Sequence, residues 1–112
     1  MPIIYHLTQK AAWEEARLAQ EYRAVSLAEE GFIHCSQDEP QLLRVANRLF
    51  SGHTDLLVLD VETSRLASPL KREASRSGEI YPHIYGPLNT SAVLRVRSLP
   101  PDSNGKFTAI GG

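Results

Sequence analysis

The chain has 112 residues, of which 42% are hydrophobic and 22% charged, which suits one globular domain with its own hydrophobic core. Its 12 basic and 13 acidic residues give a net charge of −1, so neither nucleic acid nor a membrane is expected as a partner. A single cysteine excludes an intramolecular disulfide, and the N-terminus lacks the charged and apolar regions of a signal peptide, which together favour a cytoplasmic protein.

The first thirty residues predict strands and helices in alternation. An apolar run at residues 3–7 predicts the first strand. Thr8 is the predicted N-cap of a helix over residues 9–20. A brief strand is expected at residues 22–25, and the capping-box pattern of residues 26–29 predicts a single helical turn.

The most regular helix is predicted in the middle of the chain. Residues 32–35 predict a strand, after which Ser36 and Glu39 match a second capping box. Pro40 stands early in this helix, where its missing N–H costs nothing. Apolar residues from 42 to 50 then recur at helical spacing.

The second half of the chain predicts mostly strands. Residues 55–61 form a continuous Leu- and Val-rich run, which is typical of a buried strand. Further strands are expected at residues 70–74 and 93–99. The segment GEIYPHIYGPL, residues 78–88, predicts a strand interrupted by two prolines.

This order of elements predicts an α+β fold. The expected architecture is a single compact domain, residues 1–100, with a mixed, mostly antiparallel sheet and two main helices. Residues 101–112, rich in Pro, Gly and polar residues, predict a flexible C-terminal tail.

Polar side chains collect where the predicted strands end, which is where scaffolds usually present reactive groups. In GEIYPHIYGPL, an acid, an imidazole and two phenols stand beside backbone that cannot complete a sheet ladder, so we expect this segment to form one wall of a pocket. The candidate residues are His6, Thr8, His34, Cys35, Ser36, Glu79, Tyr81, His83 and Tyr85.

Two kinds of chemistry are considered for the histidines and the cysteine. No CxxC, HExxH or close histidine pair is present, so no metal is expected. Cys35 suggests a thiol nucleophile, yet the adjacent His34 points to the opposite face of a strand, so another histidine would have to activate it. The alternative is that Cys35 is a small buried hydrophobe.

The other candidates also have structural interpretations. Ser36 is a predicted N-cap, although a helix N-terminus also attracts an anionic ligand. Glu79 follows a glycine and could be a solvated turn carboxylate. Tyr81 and Tyr85, with the prolines, are also compatible with an edge strand protected against aggregation.

Three motifs identify a resemblance that covers most of the chain, from about residue 3 to residue 99. IYHLT (4–8), SLAEEGFIHCS (26–36) and GEIYPHIYGPL resemble the bacterial family numbered 952 among domains of unknown function. That family is in turn remotely similar to the ADP-ribosyltransferase-like fold, whose sites use three strand-borne motifs.

The resemblance to the transferases implies a catalytic set of His6, Ser36 and Glu79, with Glu73 as a rival for the glutamate. His6 would hold a ribose hydroxyl of NAD, the substrate that the resemblance implies. The glutamate would position the nicotinamide ribose and stabilise positive charge as the glycosidic bond breaks.

The resemblance also implies a place for the nicotinamide ring. Tyr81 or Tyr85 could stack on it. Leu7 departs from the transferase pattern, because the transferases have a glycine at that position whose backbone approaches the nicotinamide amide; a side chain there narrows the pocket.

Three functions remain open at this point. The first is an enzyme that acts on NAD or on a related ADP-ribosyl or nucleotide substrate. The second is a non-catalytic nucleotide-binding or regulatory module on the same fold. The third is a thiol-dependent hydrolase that uses Cys35 together with His6, His34 or His83.

Overall fold

The strands of the protein form antiparallel sheets, as seen in a computed structural model that describes residues 2–111. Elements are numbered along the chain, and two single 3₁₀ turns, Thr63–Arg65 and Thr90–Ala92, complete the regular structure of the described residues. The elements are β1 (Ile3–Gln9), α1 (Lys10–Ala19), β2 (Glu21–Tyr22), α2 (Val25–Glu30), β3 (Ile33–His34), α3 (Glu39–Leu49), β4 (Leu56–Glu62), β5 (Leu70–Ala74), β6 (Ile80–Ile84), β7 (Leu88–Asn89) and β8 (Val93–Ser98).

The predicted class, a single α+β domain with antiparallel pairing, is confirmed. One sheet has the order β1-β4-β8, a second has the order β3-β6-β5, and β2 pairs with β7. The register of the first sheet places His6 opposite Leu59, and the pairing of β4 with β8 shifts at a bulge between Asp60 and Val61. α2 is a third helix in the described chain, longer than the single turn that the sequence predicts.

A single bridge connects the two three-stranded sheets. The N–H of Tyr5 donates to the carbonyl of Ser36 (2.9 Å), and the N–H of Ser36 donates to the carbonyl of Tyr5 (2.7 Å). In the same register His34 would stand opposite Leu7, but the His34 carbonyl accepts a hydrogen bond from the His6 imidazole instead (2.6 Å). The sheets therefore part after one residue pair, and this leaves a cleft between β1 and β3.

The parting of the sheets leaves backbone groups of β1 without a ladder partner. Backbone groups in an antiparallel strand alternate between its two sides. Because Tyr5 bonds to Ser36 rather than to β4, Leu7 directs its N–H and carbonyl toward β3 as well. No bridge to β3 follows at Leu7 in the described structure, so these two groups face the cleft.

Side chains of β1 alternate between two hydrophobic clusters, one on each side of its sheet. Ile4 packs with Trp13 of α1 and with Ile33. Leu7 packs on the opposite side with Leu42 of α3. Buried side chains on both faces of the sheet explain the continuous apolar run that predicts β4.

The hydroxyl residues predicted to cap helices do not cap them. Gln9, not Thr8, precedes α1, and it makes no side-chain capping bond. Ser26 lies inside α2 and donates to the carbonyl of Phe32 (2.8 Å). At α3 the cap is Asp38, whose carboxylate accepts from the Gln41 N–H (2.8 Å), so the prediction of Ser36 is wrong. Each of the three predicted caps is replaced by a neighbouring residue or by none.

An ion-pair network around the buried side chains of Asp60 and Arg97 ties α3 to the first sheet. Asp60 of β4 accepts hydrogen bonds from Arg95 (3.1 and 3.0 Å) and from Arg97 (3.2 and 2.9 Å). Arg97 also donates to Glu39 at the start of α3 (3.1 Å). These bonds hold the helix that forms one wall of the cleft against the sheet.

The C-terminal segment, for which the sequence predicts a flexible tail, packs against α3 in the described part of the chain. Phe107 is 2% exposed and joins the cluster that contains Leu42 and Ala46. The Asn47 side chain donates to the Phe107 carbonyl (2.9 Å) and accepts from the Phe107 N–H (2.7 Å). A side-chain amide thus bonds both backbone groups of this residue.

No helix within residues 2–111 combines the length and the apolar character that crossing a membrane would require.

Candidate functional site

The cleft between β1 and β3 opens into a cavity of about 670 Å³. One wall is apolar and comes from α3, through Leu42, Val45 and Leu49. Arg23 and Arg48 also line it. Seven of the residues predicted for the site belong to its lining, namely His6, Thr8, His34, Cys35, Ser36, Tyr81 and His83. The structure therefore brings most of the candidates from three distant parts of the sequence to one surface.

His6 is buried at the base of the cleft and is 6% exposed. Burial lowers its pKa to about 4, even though the hydrogen bond to the His34 carbonyl favours the protonated ring. The imidazole is therefore neutral at physiological pH, and its one proton sits on Nδ1, which donates to the His34 carbonyl (2.6 Å).

The second nitrogen of His6 is also occupied. The Tyr22 hydroxyl lies 2.8 Å from Nε2 and 3.0 Å from the Thr8 hydroxyl. A phenol has one proton and Nε2 of this tautomer has none, so Tyr22 donates to His6. The Thr8 hydroxyl bonds to the Tyr22 oxygen as the third member of this hydrogen-bonded series. With both nitrogens satisfied, His6 orders the wall of the cleft and has no free nitrogen to accept a proton.

Tyr22 is a site residue that the sequence analysis missed. It lines the cavity, and burial raises the pKa of its hydroxyl. The only sequence signal was an aromatic residue at the start of a predicted short strand, and such residues usually belong to a hydrophobic core. Nothing in the local pattern shows that its hydroxyl reaches His6, 16 positions away.

Ser36 presents a free hydroxyl to the cleft. Its backbone makes the bridge to Tyr5, and its side chain has no hydrogen-bond partner among residues 2–111. Since no fully buried side-chain oxygen or nitrogen in that range lacks a partner, the Ser36 hydroxyl must be reached from the cavity that it lines.

Glu79, the catalytic acid that the resemblance implies, lies outside the lining of the cavity. Its carboxylate forms an ion pair with Arg44 and accepts from Gln41 (3.3 Å). These hydrogen bonds, that of Arg44 foremost, lower the pKa of Glu79. Its connection to the cleft runs through Tyr81, which lines the cavity and donates to Glu79 (3.2 Å).

Glu73, the rival glutamate, lies beside the cleft, where it is hydrogen-bonded to the side chains of His83 and Tyr85. It accepts hydrogen bonds from Nδ1 of His83 (2.7 Å) and from the Tyr85 hydroxyl. The bonds from Tyr85 and His83 lower the pKa of Glu73, so the carboxylate is ionised at neutral pH. His83 lines the cavity, whereas Tyr85 lies outside its lining and reaches it only through this group.

Aromatic packing fixes the His83 ring. Phe32 stacks on it with ring centroids 4.1 Å apart and an interplanar angle of 21°. His34, its cross-strand neighbour, meets it edge-on at 5.3 Å. His34 itself is half exposed and bonds to Glu30 (2.8 Å), which stands four positions earlier in the chain, at the end of α2.

Cys35 does not support a thiol nucleophile. It is 4% exposed and packs in the hydrophobic cluster that contains Ile33. Burial raises the pKa of the thiol far above neutral pH, so the reactive thiolate is not formed. His34 points to the other face of the strand, as the sequence predicts, and cannot activate it.

Metal ligation has no geometric basis in the described chain. Across residues 2–111, His, Cys, Asp and Glu side chains do not gather in groups of three or more that could hold a metal ion.

The chain is similar to known sequences and structures over nearly its whole length. The family model described as "Protein of unknown function (DUF952)" matches residues 7–96. The X-ray structure of protein CC0527 from Caulobacter crescentus is 38% identical, with a TM-score of 0.83 over 95% of this chain and 93% of that chain. An X-ray structure of a double methionine mutant of CC0527 is 34% identical over the same shares, with a TM-score of 0.85.

The solution NMR structure of CC0527 is also similar to the chain. It is 36% identical, with a TM-score of 0.81 over 95% of this chain and 91% of that chain. No curated protein matches the chain.

Proposed function

We propose a function from the site itself, because the chain belongs to the DUF952 family, whose function is unknown. The cleft binds a nucleotide of the NAD type, and it recognises the carboxamide of the nicotinamide ring. The observation that supports this proposal is that β1 bridges to β3 at Tyr5 and Ser36, with no further bridge at Leu7 in the described residues, where the two sheets part.

A carboxamide complements these backbone groups. It offers one carbonyl and one NH₂ group, and Leu7 offers one N–H and one carbonyl on the same side of β1. Two hydrogen bonds would form in the geometry of an antiparallel pair, and the ligand would take the place opposite Leu7 that His34 leaves open. Unpaired backbone groups are costly to bury, which favours a ligand that satisfies both.

The side chain of Leu7 does not oppose this arrangement. It lies on the α3 side of the sheet and packs against Leu42, whereas its backbone groups lie in the plane of the sheet. The glycine of the transferase pattern is therefore not required for a backbone contact at this position.

The rest of the cavity suits the remainder of such a ligand. Its volume of about 670 Å³ lies within the usual range for small-molecule sites, and α3 supplies apolar surface for a ring. The Ser36 hydroxyl is available for a ribose hydroxyl. Arg23 and Arg48 supply positive charge for a diphosphate, since guanidinium groups match phosphate oxygens in a bidentate way.

The roles that the transferase resemblance implies change in this arrangement. His6 contributes through Tyr22, because both of its own nitrogens are occupied. Glu79 would contribute through Tyr81 as long as its ion pair with Arg44 persists. Transfer or hydrolysis of the ADP-ribosyl group is therefore the second candidate, and the bond from Tyr81 to an ionised carboxylate is the observation that favours it.

A backbone amide NMR titration tests the binding proposal. Nicotinamide and NAD should shift the amide signals of Leu7, Ser36 and Tyr81. Nicotinic acid is the matched control ligand, because its carboxylate cannot donate to the Leu7 carbonyl and should bind about tenfold more weakly or worse. Equal binding of the two rings, or no localised shifts at millimolar ligand, would refute the carboxamide site.

Two variants locate the site independently. Val45→Trp places a large ring in the cavity and should abolish binding. Leu94→Trp is its control, because Leu94 is exposed on β8 and is not part of the cavity lining. Proton spectra of the same NAD samples would show any released nicotinamide, and thus separate binding from turnover.

A further inference from the structure

We propose that Glu73 and His83 form a carboxylate–histidine dyad whose free nitrogen, Nε2 of His83, is the proton acceptor of the cleft. This dyad acts on the substrate of the proposed function, on which the inference rests. It acts on the nucleophile and is distinct from the groups that bind the ligand.

Hydrogen bonding fixes the tautomer of His83. Glu73 is ionised and can only accept, so the neutral form of the imidazole would carry its proton on Nδ1, 2.7 Å from the carboxylate. The Tyr85 hydroxyl donates to the same carboxylate oxygen and holds it in position. Nε2 is left with its lone pair and without a proton, as in the histidine of a catalytic triad.

The free nitrogen is accessible. Nε2 of His83 has no hydrogen-bond partner among the described residues, yet the side chain is only 14% exposed. No fully buried side-chain nitrogen or oxygen between residues 2 and 111 lacks a partner, so Nε2 must reach open space. His83 lines the cavity, and the stacked Phe32 ring keeps the imidazole in one orientation.

The other two histidines of the cavity are less suited to this role. His6 has both nitrogens engaged and a lowered pKa. His34 is half exposed, and its bond to Glu30 joins two solvated side chains at the end of α2 and on β3, which orders a side chain weakly. Only His83 combines an ionised partner, a stacked ring and an open nitrogen.

The chemistry of the step follows from this placement. Nε2 removes a proton from a water molecule as the water oxygen bonds to the anomeric carbon of the nicotinamide ribose. The glycosidic C–N bond breaks, and its electron pair leaves with the pyridine nitrogen, so nicotinamide departs as a neutral molecule. Glu73 stabilises the imidazolium, which then returns its proton to solvent. The products are ADP-ribose, nicotinamide and one proton.

Nitrogen-15 NMR of the imidazole rings tests the dyad without any ligand. The chemical shifts of the ring nitrogens distinguish the two neutral tautomers, and His83 should carry its proton on Nδ1. Glu73→Ala should move His83 toward the Nε2-protonated form, whereas Glu30→Ala should affect His34 alone. A His83 ring that is protonated on Nε2 in the wild-type protein would overturn the proposal.

Nicotinamide release from NAD tests the catalytic role. His83→Gln and Glu73→Ala should each lower turnover by about 10²- to 10⁴-fold, the usual contribution of general base catalysis, with NAD affinity kept within about threefold. Glu30→Ala should turn over at the wild-type rate. Unchanged turnover in the two dyad variants, or wild-type protein that binds NAD without releasing nicotinamide, would overturn the dyad. Failure to bind NAD would refute the proposed function instead, and the tautomer measurement would still decide the dyad.

Discussion

The neutral, buried imidazole of His6 predicts how stability depends on pH. Its pKa is about 4 in the folded protein and about 6.5 in the unfolded chain. Between these values the unfolded chain binds more protons than the folded protein, so the free energy of unfolding falls as the pH falls. Above pH 6.5 the destabilising effect of protonation is absent, and below pH 4 it is complete.

The magnitude follows from the two pKa values. Each tenfold difference in proton affinity corresponds to about 1.4 kcal/mol, so the full effect is about 3 kcal/mol. Between pH 7 and pH 5 the expected loss is about 2 kcal/mol from His6 alone. With an m-value of about 2 kcal/mol/M, this loss would lower the urea midpoint by about 1 M.

Urea unfolding of wild type and His6→Gln at pH 7 and pH 5 isolates this contribution. Titration of carboxylates changes the free energy of unfolding of both proteins by the same amount. The difference between the two proteins therefore reports the contribution of His6. The variant should lose about 2 kcal/mol less than wild type over this range. His53→Gln is the control, because His53 is exposed and its removal should leave the wild-type pH dependence in place. Parallel losses in wild type and His6→Gln would refute the assignment of His6 as neutral and buried.

Three further predictions concern other parts of the molecule. Asp60→Ala should destabilise the protein by about 3 kcal/mol in urea unfolding, because Arg97 stays buried with Glu39 as its remaining partner. Removal of the exposed Glu14, which pairs with Arg17, should cost no more than about 0.5 kcal/mol. Equal costs for the two substitutions would contradict the burial of Asp60 and Arg97. Cys35 should resist a thiol reagent in native buffer and react at once in urea, and rapid native labelling would show that it is not buried. Phe107→Ala should lower the free energy of unfolding by about 3–5 kcal/mol, whereas a change near zero would show that the C-terminal segment is a flexible tail.

Sequence periodicity was sufficient for most elements of the fold. The Leu and Val spacing of α3 and the apolar run of β4 place these elements correctly, since both depend on burial within a short window. The helix caps were wrong because tertiary contacts place these residues elsewhere than at the helix starts. Thr8 bonds to Tyr22, and the backbone of Ser36 bonds to Tyr5, 31 positions away.

The composition of the site was predictable, but its internal connections were not. The sequence proposes His6, Ser36 and His83 as pocket residues, and all three line the cavity, although His6 and His83 lie within their strands and not at the ends. Whether a histidine nitrogen is free depends on groups that tertiary structure brings to it, such as the Tyr22 hydroxyl. For the same reason no local pattern shows that Glu79 pairs with Arg44, on the first turns of α3, and so lies outside the cavity lining.

The order of strands in the first sheet has a consequence for folding. β1, β4 and β8 come from the beginning, the middle and the end of the described chain, so β1 must close a loop of about 50 residues before it meets β4. The entropy cost of closing such a loop arises before the contacts that compensate for it have formed, and this slows folding. For the same reason the N-terminal half of the chain should not be stable alone. We therefore expect fragments that end before β8 to remain unfolded, and the intact chain to fold in a single cooperative step once its last strand is present.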